Sequence, residues 1–262
     1  MLYALSLGFG NEGADERELS FVYEGEGFRA VPAMLSVIGA SSKPSARELG
    51  IDRSKRVHGA QTVIYHSSPP VAGASTMLSG VVACYDKGAE SGAIIITETE
   101  VRDASCNRLM ATVRMTSFAR ADGGFGGPSG SDAVYPAPDR PPDRVVPVKT
   151  SANQALLFRL LRDRNPLHAD PASARAAGFD RPILHGLCQF GIAYRVALAQ
   201  FMEFDTSRIR EQHVRFSGPV YPGETLQFSF WQADEELFFN ATVEGRSKPV
   251  MSHGHFHFRR DR

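Results

Sequence analysis

The sequence predicts an α+β protein made of two similar halves, each an antiparallel sheet that follows a helix. Three observations carry that expectation. Glycine and proline crowd the middle of the chain, one short motif recurs on either side of that stretch, and strand-like segments cluster after an apolar helical run. The length agrees, because 262 residues at about 150 per domain make one large domain or two small ones. Folding a chain of this size hides about 70–75% of its extended surface, enough for a substantial core.

Between Asp122 and Pro147 stand Gly123, Gly124, Gly126, Gly127 and Gly130, then Pro128, Pro136, Pro138, Pro141 and Pro142. That density excludes a helix or a central strand, because proline lacks a donor and glycine carries excess backbone entropy. The stretch 122–148 reads as a partly extended linker between one repeat at 1–121 and another at 149–262. Ser67, Pro69 and Gly73 recur as Ser217, Pro219 and Gly223 at a common offset of 150. His58-Gly59 recurs as His185-Gly186 at an offset of 127, as if two copies had drifted by an insertion or deletion.

In the first half, 81–84, 93–97 and 109–113 are apolar, partly β-branched runs that read as strands. In the second, 225–231 alternates polar and apolar residues as a half-buried strand does, and 238–243 and 250–258 complete a late set. The run 187–201 is apolar around most of its circumference and broken only by Gly191, so it reads as a helix buried against a sheet face. The second half has the clearer central helix.

Charge and cysteine content narrow the function classes. Lys plus Arg and Asp plus Glu each number 29, a balance that argues against a general nucleic-acid binder or a polybasic membrane protein. No run approaches 18 uninterrupted apolar residues, so no membrane-spanning helix is expected. Cys84, Cys106 and Cys188 form no C-x-x-C pair, which points to a reducing compartment. The N-terminal apolar run lacks a positive region, and Phe258-Arg259-Arg260-Asp261-Arg262 is no small-residue peroxisomal address. A cytoplasmic location is the expectation.

The densest chemical cluster is Asp163-Arg164-Asn165-Pro166-Leu167-His168. Pro166 drives Asn165 out of helical geometry, so a turn here can gather a carboxylate, an amide and an imidazole around one water molecule. The same residues also suit a plain turn, with Asp163 and Asn165 as turn formers and His168 satisfying a backbone carbonyl. Downstream, Gly186 enters the apolar helix, where free N–H groups and the positive dipole end could receive a carbonyl oxygen. It could equally be an ordinary helix-start glycine. His185 is expected to be a satisfied structural histidine with no part in proton transfer.

These residues bring the chain to a known family. The run from Phe158 to Pro171, through Asp163-Arg164-Asn165-Pro166-Leu167-His168, resembles the hydratase-2 motif of MaoC-type dehydratases. Its continuation Gly178-Phe179-Asp180-Arg181-Pro182-Ile183-Leu184-His185-Gly186-Leu187-Cys188 is similar to type 2 enoyl-CoA hydratases, the (R)-specific units of peroxisomal multifunctional enzymes and their bacterial relatives. His58-Gly59, Asp86-Lys87-Gly88, the glycines 123–127 and Val214-Arg215-Phe216-Ser217-Gly218-Pro219-Val220-Tyr221-Pro222-Gly223 look like further landmarks, so the likeness covers nearly the whole chain.

The resemblance implies a double hot-dog fold, two repeats each wrapping a curved antiparallel sheet around a central helix. It implies hydration of a trans-2-enoyl-CoA to a (3R)-3-hydroxyacyl-CoA, with no separate cofactor because coenzyme A belongs to the substrate. Asp163 and His168 match the catalytic pair, Asn165 its accompanying amide, and Gly186 the backbone donor to the thioester oxygen. His58, Gly59, Lys87, Arg164, Pro166, Leu167 and Phe216 match substrate-contacting positions. A homodimer is implied, and a peroxisomal location if the chain belongs to a larger eukaryotic protein. Two departures stand out. Arg162 occupies a place where the family usually has a small residue, often glycine, and Ala60 one where glutamate often follows His-Gly.

Other patterns are decoys. Gly8 to Gly13 fits G-x-G-x-x-G in spelling but lacks a βαβ context. His253, His255 and His257 would share one face of a solvated strand, with no cysteine or carboxylate to complete a metal site. A hot-dog acyl-CoA thioesterase and a non-catalytic acyl-CoA-binding subunit remain the competing functions.

Overall fold

The computed structural model describes residues 1–11 and 15–259, so Glu12 and Gly13 of the glycine-rich spelling and the C-terminal residues 260–262 lie outside the described ones. Its Gly8 and Gly10 follow a helix, α1 (Leu2–Ser6), and not a strand. Nine antiparallel strands form one continuous sheet in the order β2-β3-β4-β1-β6-β9-β8-β7-β5. The first-half strands are β1 (Arg56–Tyr65), β2 (Ser75–Asp86), β3 (Ala93–Asp103) and β4 (Leu109–Ala119). Those of the second half are β5 (Arg144–Lys149), β6 (Ile209–Phe216), β7 (Thr225–Ala233), β8 (Glu236–Val243) and β9 (Pro249–Phe258).

Read outward from the centre, β1-β4-β3-β2 is mirrored by β6-β9-β8-β7, and the halves join where Gln61 pairs with Val214 and Val63 with Gln212. The mirrored order is the physical form of the repeat. The recurring Ser-Pro-Gly motif occupies equivalent places, the loop between β1 and β2 and the loop between β6 and β7. The His-Gly pairs are not equivalent: His58-Gly59 lies within β1, whereas His185-Gly186 opens a helix.

That helix is α6 (Gly186–Phe201), with ten of its sixteen residues buried, including Phe190, Ile192, Tyr194 and Leu198. Among the described residues the first half has no equal. Its helices α1, α2 (Glu16–Val22) and α3 (Met34–Ala40) reach seven residues at most, and α3 lies close enough to β4 that a Cβ on Gly39 would stand 2.8 Å from the Val113 side chain. Two further short helices, α4 (Gln154–Phe158) and α5 (Pro171–Ala176), flank the motif region. Among the described residues no helix is long and apolar enough to cross a membrane.

The glycine- and proline-rich stretch is less of a free tether than its composition suggests. Its end from Arg144 onward forms β5, which pairs only with β7 at the sheet edge and so tolerates the missing N–H of Pro147. The preceding residues are strapped across the sheet. Asp132 accepts from Thr116 of β4, the Tyr135 hydroxyl donates to Glu211 of β6 at 3.2 Å, and Trp231 of β7 donates to the Arg140 carbonyl at 2.7 Å. Gln212 bonds the Phe190 carbonyl of α6 at 2.8 Å, so its strand neighbours Glu211 and His213 face the other way, and the strap lies on the face opposite the helix.

This overturns the expectation of a solvated histidine strand. His255 is 3% exposed beneath Tyr135, whose ring stacks on it at 4.2 Å, whereas His257 is exposed and His253 sits at a positive φ of 51° where the pairing shifts register.

Candidate active site

The motif is built by a series of tight turns. Arg162 ends the single 3-10 turn Arg159–Leu161 in the left-handed conformation, φ 81° and ψ 1°. A side chain there is strained, because its Cβ crowds the backbone in the left-handed region. The Arg162 side chain points to solvent. The Asn165 amide donates to Asp163 Oδ1 at 3.1 Å, and the Leu167 amide donates to Asn165 Oδ1 at 3.1 Å, capping the 3-10 turn Pro166–His168. Asp170 then caps α5, accepting from the Ala172 and Ser173 amides.

These turns aim Asp163 and His168 at one another, and His185 joins them. One oxygen or nitrogen from each of the three lies within 4.8 Å of the others. His168 Nδ1 donates to the Ile183 carbonyl at 2.8 Å, which leaves Nε2 with its lone pair free. Burial lowers the His168 pKa below the ordinary imidazole value, opposed by the Ile183 carbonyl and the Asp163 charge, so the ring is held toward its neutral form. The His185 ring stacks on it at 3.8 Å. Burial first, and His168 second, bring the His185 pKa to about 3.

Gly186 is the first residue of α6, and its N–H has no carbonyl a turn earlier to bond. Phe216 covers it: a Cβ on Gly186 would stand 3.3 Å from that ring. His58 meets the other edge of Phe216 at 4.9 Å and hydrogen-bonds the Ala60 carbonyl at 3.1 Å. Burial, reinforced by the Lys43 charge, takes the His58 pKa to about 3. The Lys43 ammonium lies within electrostatic range of both His58 and Asp163, so the two halves meet at the site.

The remaining sequence candidates divide. Gly59 is buried at a register shift in β1, where a Cβ would strike the Phe118 ring at 2.2 Å, so packing explains it. Arg164 and Pro166 are exposed and Leu167 is half-buried beside the motif. Asn165 is exposed, and its carbonyl oxygen serves the turn. Lys87 is not brought into the cluster: it is exposed on the β2–β3 turn and donates to the Gly130 carbonyl at 3.1 Å. The neighbouring Asp86 accepts from the Gly88, Gly124 and Gly126 amides, docking the glycine-rich segment onto that hairpin. Sequence reasoning assigned no chemistry to His185 and did not single out Lys43. The first stood beside Gly186 in plain view; the second carried no local signal, being separated from the motif by the whole first sheet.

Comparison with known proteins matches the chain to two family descriptions, MFE-2 hydratase 2 N-terminal domain over residues 1–121 and MaoC like domain over 134–252. The chain is 36% identical to peroxisomal multifunctional enzyme type 2 of Drosophila melanogaster, over 96% of this chain and 44% of that protein. It thus spans less than half the length of that relative. It is 35% identical to enoyl-CoA hydratase ChsH3 of Mycobacterium tuberculosis, over 97% of this chain and 89% of that protein. The crystal structure of a MaoC-like dehydratase from Phytophthora capsici superposes with a TM-score of 0.86 at 33% identity, covering 100% of this chain and 92% of that one. A Mycobacterium tuberculosis protein described as a double hotdog fold superposes at 0.55 and 15% identity over 88% of this chain and 81% of that one, a likeness of fold alone. With the mirrored sheet, the motif turn and these matches together, the chain belongs to the MaoC-like dehydratase family and has the double hot-dog fold.

Proposed function

We propose that this protein is an (R)-specific enoyl-CoA hydratase, adding water to a trans-2-enoyl-CoA to give the (3R)-3-hydroxyacyl-CoA, and catalysing the reverse dehydration. The observation that carries the reading is the convergence of Asp163 and a neutral His168, whose Nδ1 is tied to the Ile183 carbonyl, beside the first amide of α6. The family membership and the names of the Drosophila and Mycobacterium relatives support it.

The chemistry follows from that geometry. Water oxygen bonds to Cβ while one of its O–H bonds breaks, the proton passing to His168 Nε2. The π electrons move toward the thioester, whose oxygen gains charge beside the Gly186 N–H, a kind of donor worth about 3–4 kcal/mol in other enzymes. The proton that His168 takes from water passes through the Asp163 carboxylate to Cα, so an ionised Asp163 and a neutral His168 both begin and end the cycle. His58 and Phe216 form the wall toward the substrate, with the Lys43 charge within range of Asp163.

The test is loss of enoyl absorbance with trans-2-enoyl-CoAs of several lengths, with chiral analysis of the product. Asp163→Asn and His168→Ala should each lose at least 100-fold in kcat while remaining folded, in line with the roughly 10²–10⁴-fold contribution of general acid–base groups. Turnover retained in either, or release of free thiol in place of hydration, would refute the assignment.

The same proposal includes a homodimer. It is supported by the apolar side chains that edge strand β2 leaves uncovered, Leu78 at 73% and Val82 at 55% exposure. Light scattering at twice the mass of the chain checks it. A cytoplasmic location, or a peroxisomal one within a larger eukaryotic protein, is the matching proposal for where the reaction occurs.

A further inference from the structure

His185 is the member of the site cluster whose chemistry is unexplained. It is 1% exposed, held between Phe158 at 5.0 Å and His168 at 3.8 Å, and neither ring nitrogen has a well-formed hydrogen-bond partner, the Asp163 backbone offering only a weak polar contact. A phenylalanine would fill the same slot without burying two polar atoms. Burying them unpaired costs about 1–3 kcal/mol each, so a partner that arrives with the reaction is the physical explanation.

Two occupants suit two histidines and a carboxylate. Ligands around a zinc ion at about 2.0–2.2 Å stand roughly 3.3–3.6 Å apart, and each ring must point its lone pair at the metal. Hydrogen-bond partners around a tetrahedral water at about 2.8 Å stand roughly 4.6 Å apart, and tolerate off-axis approach. Here the atoms lie within 4.8 Å of one another, room enough for either, but the two imidazoles are stacked at an interplanar angle of 27°, so their in-plane lone pairs run side by side and do not converge on one ion. Ring direction favours water.

We infer that His185 is a third side chain holding the nucleophilic water, together with Asp163 and His168. This rests on the hydratase reading. His185 accepts the O–H bond that does not break, and that hydrogen stays on the product hydroxyl. The other O–H is shared between His168 Nε2 and the Asp163 carboxylate, and an oxygen lone pair is left facing Cβ. The low His185 pKa agrees with a ring that stays neutral and keeps an acceptor nitrogen throughout the cycle.

The experiment pairs kinetics with a crystal structure of the full chain. His185→Phe keeps the stack and removes both nitrogens; kcat for a trans-2-enoyl-CoA should fall at least tenfold with KM within about twofold, and His185→Gln, which restores an acceptor, should recover part of the loss. His185→Phe with kcat within threefold of the wild type overturns the inference, as does a fall in apparent kcat that vanishes once rates are expressed per folded molecule. A high-resolution structure of the wild type should place a water at about 2.6–3.2 Å from all three side chains. A water touching only Asp163 and His168, or a metal at about 2 Å, overturns it. The structure decides the matter even if no enoyl-CoA is hydrated, an outcome that would refute the hydratase reading on its own account.

Discussion

Replacing Arg162 by glycine tests whether the backbone conformation at this position is a strain tolerated by the fold. Arg162 sits at φ 81° and ψ 1°, with its side chain exposed. The left-handed conformation costs a residue with a Cβ about 1–2 kcal/mol. Glycine removes that cost but loses about 0.4–1 kcal/mol through the added freedom of the unfolded chain. Arg162→Gly should therefore stabilise the protein by about 0.5–1 kcal/mol, which for a chain of this size raises Tm by about 1–4 °C. Arg162→Ala keeps the Cβ and serves as the control, with no gain expected. Urea unfolding of the three proteins under one set of conditions reads the difference as a shift in midpoint at constant slope. If Arg162→Gly is no more stable than Arg162→Ala, backbone strain is not what distinguishes this position.

Three further outcomes are expected. The acid limb of kcat/KM should lie below the ordinary imidazole value of about 6.5, because burial holds the His168 pKa down and the neutral form is the base; a limb at or above that value contradicts the buried geometry. Stability should follow the same sign. His185 and His213 titrate near 3 and 4 in the folded protein, so the folded state binds fewer protons than the unfolded one between those values and about 6.5. Their contribution is fully present above about pH 6.5 and is lost as pH falls toward 4 and then 3, at up to about 1.4 kcal/mol per pH unit for each proton, checked by urea midpoints from pH 8 to 4. Gly59→Ala should destabilise the chain by about 1–3 kcal/mol, because its Cβ would meet the Phe118 ring at 2.2 Å; a change below 0.5 kcal/mol in the urea midpoint would show that Phe118 moves freely aside.

Local features of this chain could be read without a structure because they are fixed by local physics. The all-round apolar run became α6 with its expected end at Phe201, starting one residue earlier than read, and the strands at 93–97, 225–231 and 238–243 fell inside β3, β7 and β8. Asp163, Asn165 and His168 were drawn together by a proline turn whose hydrogen bonds span two residues. Proline and glycine marked where no central strand could run, and the strand that does form there is an edge. Strands β1 and β6 were not anticipated, although Thr62 and Val63 of β1 pair with His213 and Gln212 of β6 at the seam of the sheet. Their pairing partners lie about 150 positions apart, and nothing local announces them.

What the tertiary structure alone decided is which groups become neighbours. Tyr135 covers His255, Lys43 comes within range of Asp163, and His185 turns its ring onto His168. Each depends on burial and long-range approach, and these shift a pKa or orphan a nitrogen without leaving a mark on the sequence around them. Residue order encoded the turn, the helix and the repeat; packing determined which imidazoles are buried together and held toward their neutral form.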